Sequence, residues 1–228
     1  MKYSGKIFIF FFLNSLSAPL FSQGELGNWL MYFGTNRFSD DFSLHTEVQY
    51  RNHTAVPTDI EQLLLRTGIN YHFAPSALVT AGYGYITSYD FDGDYSMADS
   101  REHRIWQQLI LNQLVGRIKF EHRYRVEQRW VNQNYRNRLR YRIMTFIPLN
   151  KPTLGEGSLF LGLYDEIFMN TESTFFDRNR LYGALGYQFS GSTSAQLGML
   201  HQQVGDQGKW YLQMAVFFNP DFRKTETD

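Results

Sequence analysis

The sequence predicts an all-β fold, an antiparallel up-and-down transmembrane β-barrel of 10 to 12 strands, on three observations. Segments of about ten residues alternate apolar and polar side chains with a period of two along most of the chain. The connections between them alternate between short turns and longer polar loops, the asymmetry of an outer-membrane barrel. The N-terminus resembles a secretory signal peptide: Lys2 and Lys6 precede the apolar run 7–13, and small residues follow before Gln23. Residues 1–22 are therefore expected to be a cleaved signal and 23–228 a single barrel domain.

Composition narrows the function classes. Lys plus Arg and Asp plus Glu both number 22, so bulk charge gives no case for a nucleic-acid surface. Cysteine is absent, which excludes a disulfide scaffold and a thiolate metal site. Mean hydropathy is −0.39, too low for a polytopic helical membrane protein, but compatible with a barrel whose strands turn half their residues to a polar interior. No later run reaches the roughly 18 apolar residues of a membrane helix.

In chain order, 25–36 sets Trp29, Met31 and Phe33 against Asn28, Tyr32 and Gly34. In 42–51, Phe42, Leu44, Val48 and Tyr50 oppose Ser43, His45, Glu47 and Arg51. In 60–73, Leu63, Leu65, Ile69 and Tyr71 oppose Gln62, Arg66, Asn70 and His72. The strand 77–89 puts Val79, Tyr83 and Tyr85 on one face and Thr80, Gly82, Gly84 and Ser88 on the other, where glycines relieve crowding in a narrow lumen. In 101–115, placing Glu102, Arg104, Gln108 and Asn112 inward also takes Trp106 and Ile110 inside.

The stretch 119–142 reads as one hairpin. Lys119, Glu121, Arg123, Arg125, Glu127 and Arg129, then Arg136, Arg138, Arg140 and Arg142, make a charged face. Its other face is largely aliphatic and aromatic. Strands follow at 158–168, with Phe160, Tyr164 and Glu166 on one face, and at 178–189, with Arg178, Arg180, Tyr182 and Gln188 on one face. Segments 193–203 and 210–218 complete the set.

Short connections are expected at 37–40, 74–76, 115–117 and 190–192, and longer ones at 52–59, 90–100, 169–177 and 204–209; 148–157 is a further connection rich in proline and glycine. Aromatics then collect near both ends, Tyr71, Phe73, Phe120, Tyr187, Phe189 and Phe218 at one and Tyr50, Tyr89, Trp130 and Trp210 at the other, as interfacial girdles do. Eleven segments conflict with the even numbers of bacterial single-chain barrels. A barrel of ten, from 42–51 to 210–218, would leave 25–36 as an extra edge strand, a lumen insert, or half of a twelve-strand solution.

Several stretches together resemble the Gram-negative family catalogued as domain of unknown function 2490: Trp29, Arg51, the triplet Glu102, His103 and Arg104, the runs 122–129 and 138–142, the set Asp165, Glu166 and Phe168, and Phe176, Asp177, Asn179, Arg180 and Leu181. The family has glutamine where this chain has Arg178. Its members are predicted outer-membrane barrels without an assigned activity, so the resemblance implies the fold and the outer-membrane location but no chemistry.

The candidate site is the inward charge network: Arg51, Arg66, Arg104, Glu121, Arg123, Arg125, Glu127, Arg138, Arg140, Glu166 and Arg180. Arginine binds carboxylate through a planar fork and keeps its charge, so a lumen plugged by Arg and Glu pairs, in a structural or interaction role, is the first expectation. An excess of inward arginine suggests the alternative, an anion-selective pore or a barrel that binds small anions or a lipid headgroup. An enzyme acting on lipid or protein is the third class; His45, His72, Glu47 and Glu166 face inward, His103, His122 and His201 outward, and no nucleophile motif accompanies them. Scattered histidines and an acidic loop, with Asp90, Asp92 and Asp94 but no downstream Glu, offer no metal spacing, and no cofactor is expected. Expected partners are outer-membrane lipid and the barrel-assembly machinery.

Overall fold

The computed structural model describes residues 26–91, 93–172 and 174–223; the expected signal, 1–22, lies outside them. Eleven strands close into one barrel: β1 (Gly27–Arg37), β2 (Phe42–Asn52), β3 (Ile60–Ala74), β4 (Ala77–Ser88), β5 (Ser100–Val115), β6 (Ile118–Val131), β7 (Asn134–Pro148), β8 (Leu159–Asn170), β9 (Phe176–Gln188), β10 (Thr193–Val204) and β11 (Gln207–Phe218). Each strand pairs antiparallel with its sequence neighbours. The barrel closes through a parallel seam between β1 and β11, from Gly27 opposite Tyr211 to Gly34 opposite Phe218.

That seam resolves the strand count. The segment expected at 25–36 forms β1 over Gly27–Arg37, a full barrel strand and neither an insert nor half of a further hairpin, because it pairs with β2 on one side and β11 on the other. An odd number of alternating strands must bring its first and last members together in parallel, so the start of β1 and the end of β11 lie at opposite ends of the barrel. The seam continues beyond β11: Arg37 N–H donates to Pro220 O at 3.0 Å and Phe222 N–H to Arg37 O at 2.7 Å.

The alternation of faces holds around the wall. Glu47, Arg66, Thr80, Arg104, Trp106, Gln108, Arg125, Glu127, Arg138, Arg140, Glu166 and Arg180 are buried, whereas Val48, Leu65, Val79, Ile105, Val126, Leu163, Leu181 and Val216 are exposed. Arg136 has the inward phase but sits beside the β6–β7 turn and is exposed. The central hairpin forms as expected, turning on Asn132 and Gln133 with φ of 45° and 71°, the left-handed pair of a type I′ turn.

One connection differs from expectation. Residues 204–209 are not a loop: Gln203 pairs with Gly208 and Gln202 with Lys209, and only Gly205 and Asp206 turn the chain. Residues 149–158 form an extended connection at the end that carries the 75–76 and 116–117 turns, called here the turn end; the 53–59 and 89–99 loops mark the loop end. This connection is fastened to the wall by Gly157 N–H to Gln188 O at 2.7 Å and Gln188 N–H to Ser158 O at 3.0 Å.

The interior is not uniformly charged. Trp29, Met31, Met144, Tyr182, Ala184, Leu200, Tyr211 and Ala215 form a buried apolar cluster, chiefly on the strands flanking the seam, with Phe33, Phe146, Tyr164 and Phe217 packed against it. Inward glycine makes room for rings, as at Gly82, where a methyl group would collide with Trp106, and at Gly186, where it would collide with Phe160.

Candidate functional site: a charged layer over an inner chamber

Antiparallel pairing sets the long side chains of β5 to β9 beside one another across strands roughly 4.8 Å apart, so each carboxylate is reached from its own strand and its neighbours. Glu127 is the centre. It is 0 % exposed. Arg138 donates to its Oε2 through Nε at 3.0 Å and Nη2 at 2.7 Å, Arg140 Nη1 to its Oε1 at 2.7 Å, and Arg104 Nη1 to the same oxygen at 3.3 Å.

From Glu127 the network spreads in two directions. Toward the loop end, Arg104 Nε reaches Glu102 at 2.6 Å, Arg129 grips Glu102 with two bonds of 2.8 Å, and Arg138 Nη1 bonds Asp177 at 3.2 Å. Toward the turn end, Glu166 accepts from Arg140 at 2.7 Å and from Arg123 at 2.6 Å. Across the lumen Glu47 accepts from Arg66 at 2.8 Å and contacts His45 Nε2 at 3.2 Å, while Glu121 pairs with Arg142. Every carboxylate placed in the candidate network thus has an arginine partner.

Three arginines of the same set lack such a bond. Arg51 donates to Gln49 and Gln62, Arg125 to Gln108, and Arg180 to Gln202. Arg125 is 3 % exposed, its Nη1 has no hydrogen-bond partner among the described residues, and Glu127 stands 3.8 Å from it. Aromatic faces take the place of carboxylates. Arg51 and Arg180 lie over Trp29 at 3.9 and 4.8 Å, Arg180 also over Phe168 at 4.7 Å, and Arg125 over Trp106 at 4.7 Å. A guanidinium over a ring gains about 0.5–2 kcal/mol, more as it is desolvated.

These residues bound a chamber of about 530 Å³ lined by Arg51, Arg66, Arg125, Arg140, Glu166 and Arg180 on one side. Its lining reaches the turn end through Phe33, Phe146, Phe160, Phe217, Lys119 and Leu154. Glu102, Arg104, Glu127 and Arg138, toward the loop end, are not part of the lining and are buried.

The sequence placed all eleven candidate residues on the inward face, and the structure brings them into this one region. It missed the ring platforms, Phe168 above all, and the glutamines Gln49, Gln108 and Gln202 that hold the unpaired arginines. The available signal was phase: Phe168 follows Phe160, Tyr164 and Glu166 at even spacing. His45 and His72 face inward as expected, but each has a local partner, Glu47 and Ser43. No grouping of His, Cys, Asp and Glu fit to hold a metal ion occurs among the described residues.

The family model described as Protein of unknown function (DUF2490) matches residues 26–213. No curated protein and no solved structure matches the chain.

Proposed function

Since the chain belongs to the DUF2490 family, whose description assigns no activity, we propose from its geometry that it is an outer-membrane barrel, inserted by the barrel-assembly machinery, whose lumen is plugged by the Arg/Glu layer and whose role is structural or in interaction. The observation that carries the plug is Glu127, fully buried and bonded by Arg104, Arg138 and Arg140. A hydrated pore wall would leave these groups to water; here they spend their hydrogen bonds on one another. Lipid contact is supported by the outer wall, which exposes Leu65, Ile69, Ile105, Leu181, Leu185 and Leu197. An apolar belt of this kind requires a cover. Outward aromatics sit near both ends, Phe42 and Tyr71 at the turn end and Trp130 and Tyr135 at the other.

A second reading, anion binding, is favoured by Arg51, Arg125 and Arg180, the buried cations without a carboxylate hydrogen bond. Catalysis has no comparable support, since the inward histidines are held in local pairs; overexpression is expected to leave phospholipid and lipid A composition unchanged. Fractionation tests the membrane reading. The protein should enter the outer membrane and migrate differently in gels before and after boiling, and recovery as a soluble periplasmic protein without that shift would overturn it.

A further inference from the structure

The chamber has a charged floor and an aromatic collar, and the two lie at different depths. Arg125, Arg140 and Arg180 stand midway along β6, β7 and β9. Phe33, Phe146, Phe160 and Phe217 lie within the last few residues of their strands toward the turn end. The collar is built: Phe33 stacks on Phe217 with centroids 5.1 Å apart and planes 14° apart, and Phe146 meets Phe160 edge-on at 6.0 Å. Leu154, from the fastened 149–158 connection, adds to the lining there.

We propose that this chamber binds a single-chain amphipathic anion, head inward, with its anionic group at Arg125 and the neighbouring arginines and its hydrocarbon chain along the collar. The floor carries the first half of the case. Arg125 has a buried Nη1 without a hydrogen-bond partner among the described residues, and Nε of Arg66, Arg123 and Arg142 are in the same condition. Arg66, Arg123 and Arg142 are each paired with a carboxylate, whereas Arg51 and Arg180 bond none and Arg125 has only Glu127 at 3.8 Å, so buried positive charge short of counter-charge stands in the chamber wall. The collar carries the second half, because a small hydrated anion gains nothing from four phenylalanines around its entrance. A chamber of about 530 Å³ is of the size that small-molecule sites usually have, and mixed apolar walls with a few placed polar groups are their usual chemistry. The proposal rests on the closed-lumen reading, which makes the chamber blind toward the loop end.

Calorimetric titration of the full mature chain, folded in dodecyl maltoside, tests it with octyl phosphate, inorganic phosphate and 1-octanol as probes. Octyl phosphate should bind one to one, at least tenfold more tightly than either of the other two. Arg125→Gln should weaken octyl phosphate at least tenfold and leave octanol unchanged; Phe217→Ser should weaken octyl phosphate and leave inorganic phosphate unchanged. Gel mobility before and after boiling verifies that each variant is folded. Equal affinity for inorganic and octyl phosphate, equal affinity for octanol, or no saturable binding by the folded protein would each overturn the proposal. Steady conductance with octyl phosphate binding intact would sink the closed lumen alone, and a silent bilayer with no binding would sink the amphipathic site alone.

Discussion

Toward the loop end, the lumen arginines Arg104, Arg129 and Arg138 bond carboxylates; at the chamber, Arg51, Arg125 and Arg180 bond amides and cover rings. Both groups come from strands with the same alternation, and all but the part-buried Arg129 are buried. They differ in what faces them, and this separates two uses of one residue type. A paired arginine neutralises a carboxylate and joins strands. An arginine over tryptophan that bonds only amides, as Arg51 and Arg180 do, keeps a charge no carboxylate takes up.

The difference is sharpest under mutation. Glu127→Ala should have the largest effect, since it takes a carboxylate from Arg104, Arg138 and Arg140 at once and leaves each with one remaining acid, Glu102, Asp177 and Glu166; removing one partner of a buried pair costs about 3–5 kcal/mol. Urea unfolding of the folded barrel, followed by tryptophan fluorescence, measures it. A loss below about 1 kcal/mol would mean that the layer is hydrated and the contrast false.

Gly186→Ala comes next. A methyl group there meets the Phe160 ring, and overpacking costs about 1–3 kcal/mol in the same assay. An unchanged midpoint would show the collar to be loose. Arg180→Gln should cost less, about 1 kcal/mol of ring contact, because Glu166 keeps Arg123 and Arg140. If it matched Glu127→Ala, the unpaired group would be structural after all.

Asp221→Asn should have the smallest effect. Asp221 is fully exposed, and its hydrogen bonds with Arg223 hold its carboxyl down to about 2. With the folded value depressed, the contribution of the pair is complete above the ordinary carboxylate range and is lost only as pH falls through about 2. At neutral pH the unfolding midpoint of this variant should fall only slightly below that of the natural chain, and the two should converge as pH falls toward about 2.

Much of this was legible because a strand's period of two is a local property: Arg123, Arg125, Glu127, Arg138 and Arg140 could be placed inside from their neighbours alone. Trp106 and Ile110 followed Glu102 and Gln108 inward by the same count. What escaped was non-local. The place of β1 depends on a parallel partner nearly the whole chain away, which no turn announces. The 204–209 stretch is polar because Asp206, Gln207 and Lys209 lie near the loop-end rim, where polarity does not separate strand from loop. Which arginine takes which acid depends on reach across strands: Glu121 pairs with Arg142, whereas Arg123, a neighbour on its own strand, reaches Glu166.

Closure of the lumen by the Glu127 layer, as proposed, is read directly from the current across a planar lipid bilayer. Folded protein added to the bilayer should produce no steady conductance steps. Steady steps with anion selectivity would show the lumen to be open and make the arginines the lining of a pore.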